Sequence, residues 1–367
     1  MHFLNKYLRS IKPYSPASHK IWTVSPDDRA GILKLDWNEA AVPPSPAVNK
    51  ALALLLEHPD FFNLYPATYS AELMAALVRY TGLPAENIQY FASSDTLHEY
   101  IAETYIAPGD PVLILWPSYD NFRLTAQAHG AAVHYSELSE DFVFDLDKFA
   151  EDIRKNQPSL IYICNPNNPT GTFLETDTLE KIISANPEAL ILIDEAYIEF
   201  AGESVNPLVL KYDNLLVTHT MSKAFGLANF RFGYLVSCAQ NISDISSIRN
   251  SKSITTFTQT AVTAALSDFE YMKNYADEVR KARELFIERI NTDFAGELYA
   301  YQSRGNFVLV KCSGENLKLK IIAGLEAQNI FVRNVSQSKS LAGCFRITIG
   351  TCEQMLRVIQ ALNEIIG

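Results

Sequence analysis

The sequence predicts an α/β protein: a large domain on a mostly parallel sheet with helices on both faces, then a smaller α+β C-terminal domain. Three observations predict it. Short apolar runs alternate with helical patterns over most of the chain before Ser253. Polar clusters recur where those runs end, which is where open α/β sheets build ligand sites. After Ser253 the texture changes to one long charged helix followed by short strands.

The strand-like runs are Pro111–Trp116, 159–164, 189–194, 214–218 and 232–237. Helical patterns lie between them, for example 70–80 and 120–129, with Gly82 and Gly130 as helix stops. This alternation argues for parallel strands covered on both sides. Pro43-Pro44-Ser45-Pro46 marks the crossing from an N-terminal arm into the large domain. Beyond Ser253 a helix over about 271–291 leads to strands near 307–311, 330–333 and 345–349. The expected division is 1–45 for the arm and part of the small domain, 46–258 for the large domain and 259–367 for the small one.

Composition narrows the function. The 367 residues suffice for a large core and two domains. A formal charge of −11, from 31 basic against 42 acidic residues with no basic stripe, argues against nucleic acid as a partner. Cys164, Cys238, Cys312, Cys344 and Cys352 are odd in number and lack metal or redox spacing, so reduced thiols in a cytoplasm are expected. The histidines show no zinc pattern, and no metal is expected; His98 is read as structural. No N-terminal apolar run resembles a signal peptide, and no apolar stretch is long enough to span a membrane.

The polar clusters carry the chemistry. Lys223, in Thr220-Met221-Ser222-Lys223-Ala224-Phe225, follows an apolar run, and Arg231 comes one short loop later. A lysine there fits an amine that condenses with a carbonyl cofactor, with Thr220, Ser222 and Arg231 close enough to hold a phosphate. Upstream, Cys164-Asn165-Pro166-Asn167-Asn168-Pro169-Thr170-Gly171 and Asp194-Glu195-Ala196-Tyr197 each follow a strand-like run. A pyridine-ring electron sink works best with its nitrogen protonated, which an ionised Asp194 favours. The Asn168 amide and the Tyr197 hydroxyl can donate to a ring oxygen. Pro166 and Pro169 fix the backbone that aims Asn168.

With these motifs in this order, the chain resembles the fold-type I pyridoxal-phosphate enzymes of the class I/II aminotransferases, and above all histidinol-phosphate aminotransferases. The resemblance runs nearly end to end, through Ile11-Lys12-Pro13-Tyr14, Trp37-Asn38-Glu39, Asn63-Leu64-Tyr65-Pro66, Pro117-Ser118-Tyr119, Phe331-Val332-Arg333 and the segment Gly343 to Thr351. It implies an aspartate aminotransferase-like fold, pyridoxal 5′-phosphate as cofactor and Lys223 as the catalytic lysine and proton shuttle. It implies that Tyr119 stacks on the pyridine face, and that Ser94, Asp95 and Thr96 cradle the phosphate at a helix N-terminus. It further implies a homodimer in which Tyr65 reaches the partner's cofactor. Arg346 would clamp a substrate carboxylate, with Asn38 beside it. Tyr14 and Arg333 match positions that hold the substrate's phosphate.

Some positions depart from that pattern. The phosphate loop Phe91-Ala92-Ser93-Ser94-Asp95-Thr96 has no glycine, and Thr96 replaces a glutamate. Leu64 and His219 stand where relatives commonly carry arginine. These changes touch the substrate side. The expectation is a transaminase of amino-acid biosynthesis that moves an amino group from glutamate or a similar donor to a small, possibly phosphorylated, keto acceptor. The alternative is a decarboxylase of an amino-acid phosphate, similar to threonine-phosphate decarboxylase.

Overall fold

Strands that are apolar on both faces must be covered on both faces, and the interior strands here meet that demand. The computed structural model describes residues 5–9, 20–25, 27–335 and 338–367. In chain order its strands are β1 (Leu33–Leu35), β2 (Ile88–Phe91), β3 (Pro111–Trp116), β4 (Ala132–Glu137), β5 (Leu160–Cys164) and β6 (Leu190–Asp194). Then come β7 (Leu215–Thr220), β8 (Gly233–Ser237), β9 (Leu298–Ala300), β10 (Phe307–Cys312), β11 (Ile330–Asn334) and β12 (Cys344–Thr348).

The larger sheet has seven strands in the order β2-β8-β7-β6-β5-β3-β4. Only β8 runs antiparallel to its neighbours; the other pairings are parallel. The loops after β2, β3, β5, β6 and β7 therefore leave one rim of the sheet. Tyr119, Asn168 and Lys223 lie on these loops, Ser94 opens the helix after β2, and Asp194 ends β6 at the same rim. The smaller sheet, β1-β11-β12-β10-β9, supplies Arg333 and Arg346 from adjacent strands.

The five predicted runs in the larger sheet are all strands, shifted by a residue or so. The exception is β7, which extends to Thr220, so the first residue of the lysine cluster is itself a strand residue. β1, β2, β4 and β9 were not expected. β1 and β9 are three residues each and exist by pairing with β11 and β10, which leaves no local signature. β4 is a half-exposed edge strand without a clean apolar run.

Helix ends follow their capping chemistry. Ser70 caps Ala71–Thr81 by accepting from the Leu73 N–H, and Gly82 closes it at φ 70°. Ser45 caps Pro46–Leu56, with Pro46 in the first position, where its missing N–H costs nothing. The proline-rich stretch is thus a helix start. The long helix spans Phe269–Asp293. The helix Thr256–Ser267 packs against Pro46–Leu56 and Ala71–Thr81. No described helix is long and apolar enough to cross a membrane.

Candidate active site

Lys223 sits in a turn just past β7. The amide of Leu227 donates to the Met221 carbonyl at 3.0 Å, which folds the segment back on itself. The Lys223 Nζ donates to the Trp37 carbonyl at 2.9 Å and lies 5.7 Å from the centre of the Tyr197 ring. Burial, and secondly the Arg346 cation, lower its pKa to about 8. The sequence thus delivers an amine that loses its proton far more readily than a surface lysine.

Asp194 closes β6 and is fully buried. The Tyr162 hydroxyl donates to its Oδ2 at 2.8 Å, while the Ala196 amide (3.2 Å) and the Thr218 hydroxyl (3.4 Å) donate to Oδ1. Three converging donors make a seat for an anion.

A second network joins the two sheets. The Arg346 Nη1 donates to Asn168 Oδ1 and its Nη2 to the Asp36 carbonyl, both at 2.6 Å. Asn168 Nδ2 (3.0 Å) and Asn38 Nδ2 (3.2 Å) both donate to the Tyr197 hydroxyl oxygen. With its oxygen accepting from two amides, Tyr197 keeps its own O–H to donate, and burial raises its pKa and keeps that proton in place. Asn38 holds φ 58° and is pinned by Thr348, whose hydroxyl donates to Asn38 Oδ1 (3.2 Å) and accepts its amide (3.0 Å). The Asn38 side chain is therefore committed to shaping the site.

The helix Ser94–Tyr105 points its N-terminus at the same rim. Ser93, at φ 91°, caps it by accepting from the Thr96 amide at 3.2 Å. The Thr96 amide is thus already engaged, while Ser94 and Asp95 keep the orphan N–H groups of a helix start. Gly233 lets β8 pass close beneath, since a Cβ there would lie 2.5 Å from the Ser94 nitrogen. The glycine missing from the loop is replaced by one on the neighbouring strand. Asp95 accepts from the Tyr119 hydroxyl (3.1 Å), Asn121 (3.0 Å) and Arg231 (3.4 Å). Thr220 donates to the Ser222 hydroxyl at 3.0 Å. A cavity of about 600 Å³ opens here, lined by Ser93, Asp95, Thr96, Arg231, Phe257 and Thr258 among others.

Of the expected site residues, Lys223, Asp194, Asn168, Tyr197, Asn38 and Arg346 are brought together, and Ser94, Asp95, Thr96, Tyr119, Thr220, Ser222 and Arg231 gather at the cradle. Arg333 lies directly across from Arg346 in register. Tyr65 is 82 % exposed, under the Lys252 ammonium at 4.9 Å. Tyr14 lies outside the described residues. Residues that motif reading missed are Tyr162, Thr218, His98, Asn121, Thr348 and Gly233. Each reaches the site through tertiary placement. His219 is stacked on Tyr234 at 4.5 Å, with its Nε2 2.8 Å from Asn206 Oδ1 and 3.6 Å from Glu195 Oε2. Burial pushes the Glu195 pKa up, to about 8, and that of His219 down, to about 3, so both shifts favour the neutral form.

Comparison with known proteins decides the family. Residues 30–362 match the model of the aminotransferases of class I and II. The chain belongs to the class I and II aminotransferases. It is a transaminase, and its cofactor is pyridoxal 5′-phosphate. The chain is 39% identical over 362 residues to a dihydroxyacetone phosphate transaminase of Campylobacter jejuni, covering 98% of this chain and 96% of the relative. It is 37% identical over 336 residues to a histidinol-phosphate aminotransferase of Ruminiclostridium cellulolyticum, covering 91% and 92%. The structure of histidinol-phosphate aminotransferase from Sinorhizobium meliloti, solved with pyridoxal 5′-phosphate, superposes with a TM-score of 0.85 at 26% identity, covering 100% of this chain and 98% of that one. The residues of this aminotransferase fit the cofactor: a desolvated lysine, a buried carboxylate with three donors, and a helix N-terminus with an arginine beside it.

Proposed function

We propose that this aminotransferase moves the amino group of glutamate, or a similar amino acid, to a small phosphorylated keto acceptor. The observation that carries the reading is the register of β11 and β12, which sets Arg333 and Arg346 opposite each other. Opposed residues of an antiparallel pair share one face. Two cations on one face suit a substrate with anions to spare: a carboxylate for one guanidinium, a phosphate for the other. The Campylobacter jejuni relative, a dihydroxyacetone phosphate transaminase by name, supports a phosphorylated ketone as acceptor.

When bound, pyridoxal phosphate supplies a carbonyl to condense with amines and an electron-withdrawing ring. The protein supplies the rest. The Asp194 carboxylate would hold the ring nitrogen in its protonated form. Asn168, which already donates to the Tyr197 hydroxyl, and the Tyr197 O–H would donate to the ring oxygen. Tyr119 would cover the ring face, while the Ser94 and Asp95 amides, Thr220, Ser222 and Arg231 would hold the phosphate. Arg346 binds the donor's carboxylate and fixes which bond to the α-carbon lies near Lys223. The Lys223 Nζ, neutral in part at physiological pH, takes the α-proton, and returns a proton in the reverse sense to the acceptor.

The division 1–45, 46–258 and 259–367 is kept as the proposed domain plan. The exposed Phe62, Leu64, Tyr65 and Tyr69 support a homodimer in which Tyr65 reaches the partner's phosphate. The free cysteines support a cytoplasmic location.

The test is an acceptor comparison on enzyme first loaded with an amino group. Dihydroxyacetone phosphate should react at least about a hundredfold faster than dihydroxyacetone, the worth of two charge-assisted hydrogen bonds. Arg333→Met should narrow that gap. Equal rates for the two ketones would refute the phosphate reading.

A further inference from the structure

His98 lies on the helix Ser94–Tyr105, one turn after the phosphate cradle, and is completely buried. Its ring packs edge-on against Phe122 (5.6 Å) and Tyr162 (5.9 Å). Its Nε2 is 3.1 Å from the Thr218 hydroxyl oxygen and 3.9 Å from Asp194 Oδ2. The Nδ1 is buried without a hydrogen-bond partner among the described residues. An imidazole walled in by two aromatic rings gains nothing from a polar edge unless that edge has a task.

The direction of the chain is an assignment that satisfies both of the Thr218 contacts. The Thr218 hydroxyl has one hydrogen, and it goes to Asp194 Oδ1. The Thr218 oxygen is then free to accept from His98, which assigns the His98 proton to Nε2. The unpaired Nδ1 is the bare nitrogen of that tautomer. The result is a relay, Nε2–H to Oγ1–H to the Asp194 carboxylate, which reaches Asp194 from the cradle helix. β6 holds Asp194 and β7 holds Thr218, and the two pair in register at these positions. The contact therefore joins two neighbouring strands to the helix that holds the phosphate.

We propose that His98 is a positioning residue for the cofactor, acting through Thr218 to orient Asp194 and sharpen its hydrogen bond to the cofactor's ring nitrogen. The proposal rests on the reading of Asp194 given above. It ties the grip on the ring to the grip on the phosphate, since both depend on one helix.

The experiment measures cofactor dissociation constants and the absorbance maximum of bound cofactor for wild type, His98→Leu, His98→Gln, Thr218→Val and Asp194→Asn. Glutamine places its amide nitrogen near the position of Nε2 and can keep the relay. His98→Leu and Thr218→Val should each weaken cofactor binding by about five- to tenfold and move the absorbance maximum in the same sense. The two changes together should cost no more than the larger alone, because they break one chain. His98→Gln should stay within about twofold of wild type. Unchanged affinity and spectrum in Thr218→Val and in His98→Leu overturn the proposal. So does His98→Gln behaving as His98→Leu, which would make the ring mere filling. If His98→Leu does not fold, Thr218→Val and His98→Gln decide by the same criteria. Asp194→Asn separates the two readings: wild-type affinity and spectrum there would refute the role of Asp194 itself, whatever His98 does.

Discussion

The Lys223 amine offers a quantitative test. Burial first, and the nearby Arg346 cation second, bring its pKa from 10.5 to about 8. At pH 7.5 an amine titrating at about 8 is neutral in about a quarter of the molecules, against about one in a thousand for an ordinary lysine. The advantage in reactive amine is then roughly two-hundredfold. The sign is that of a depressed cation: the free base gains below the ordinary lysine range and the advantage fades as pH rises toward 10.5. Cofactor-free enzyme can be labelled with a trace of an amine-acylating reagent from pH 6 to 11, with the peptide carrying Lys223 quantified by mass spectrometry against surface lysines of the same digest. The midpoint for Lys223 should fall near 8. Arg346→Gln should move it upward, yet leave it below the surface lysines, because burial is the larger cause. A midpoint level with the surface lysines would refute the desolvation argument.

Two further changes probe the surroundings. Arg346→Gln should lower kcat/KM for glutamate in the donor half-reaction by about a hundredfold, while acceptors without a carboxylate lose far less; half-reaction kinetics separate the two, and equal losses would remove its role as clamp. Gly233→Ala puts a Cβ 2.5 Å from the Ser94 nitrogen and 2.8 Å from the His219 carbonyl. Neither backbone atom can yield cheaply, so the variant should lose about 1–3 kcal/mol by thermal unfolding and bind cofactor more weakly. Gly31→Ala, with nothing within 4 Å of its Cβ, is the control that should unfold like wild type.

Much of this was legible in the sequence because the chemistry is concentrated in contiguous segments. The interior strands announce themselves by apolar runs, and the site lies on the loops that follow them. Asp194, at a strand end, and Lys223 and Asn168, on such loops, could be read there. What stayed hidden depends on distance along the chain. Thr348 caps Asn38 from more than three hundred residues away, and Gly233 supplies the close approach for which the phosphate loop has no glycine of its own. His98 reads as structural from the sequence because its partners, Thr218 and Asp194, come from strands it does not neighbour in sequence. β1 and β9 are strands only because longer strands lie beside them. Asn38 illustrates a subtler point. The motif places it at the substrate, and the structure adds what no motif shows: its side chain bonds both Tyr197 and Thr348.

The most direct measurement is the absorbance of cofactor-loaded enzyme during titration with L-glutamate, with 2-oxoglutarate assayed in the same cuvette. The account predicts stoichiometric conversion of the cofactor's aldehyde form to its amine form, one 2-oxoglutarate per site, and reversal on adding dihydroxyacetone phosphate. A spectrum unmoved by glutamate and by other amino donors, with carbon dioxide released from phosphothreonine or phosphoserine instead, would contradict it.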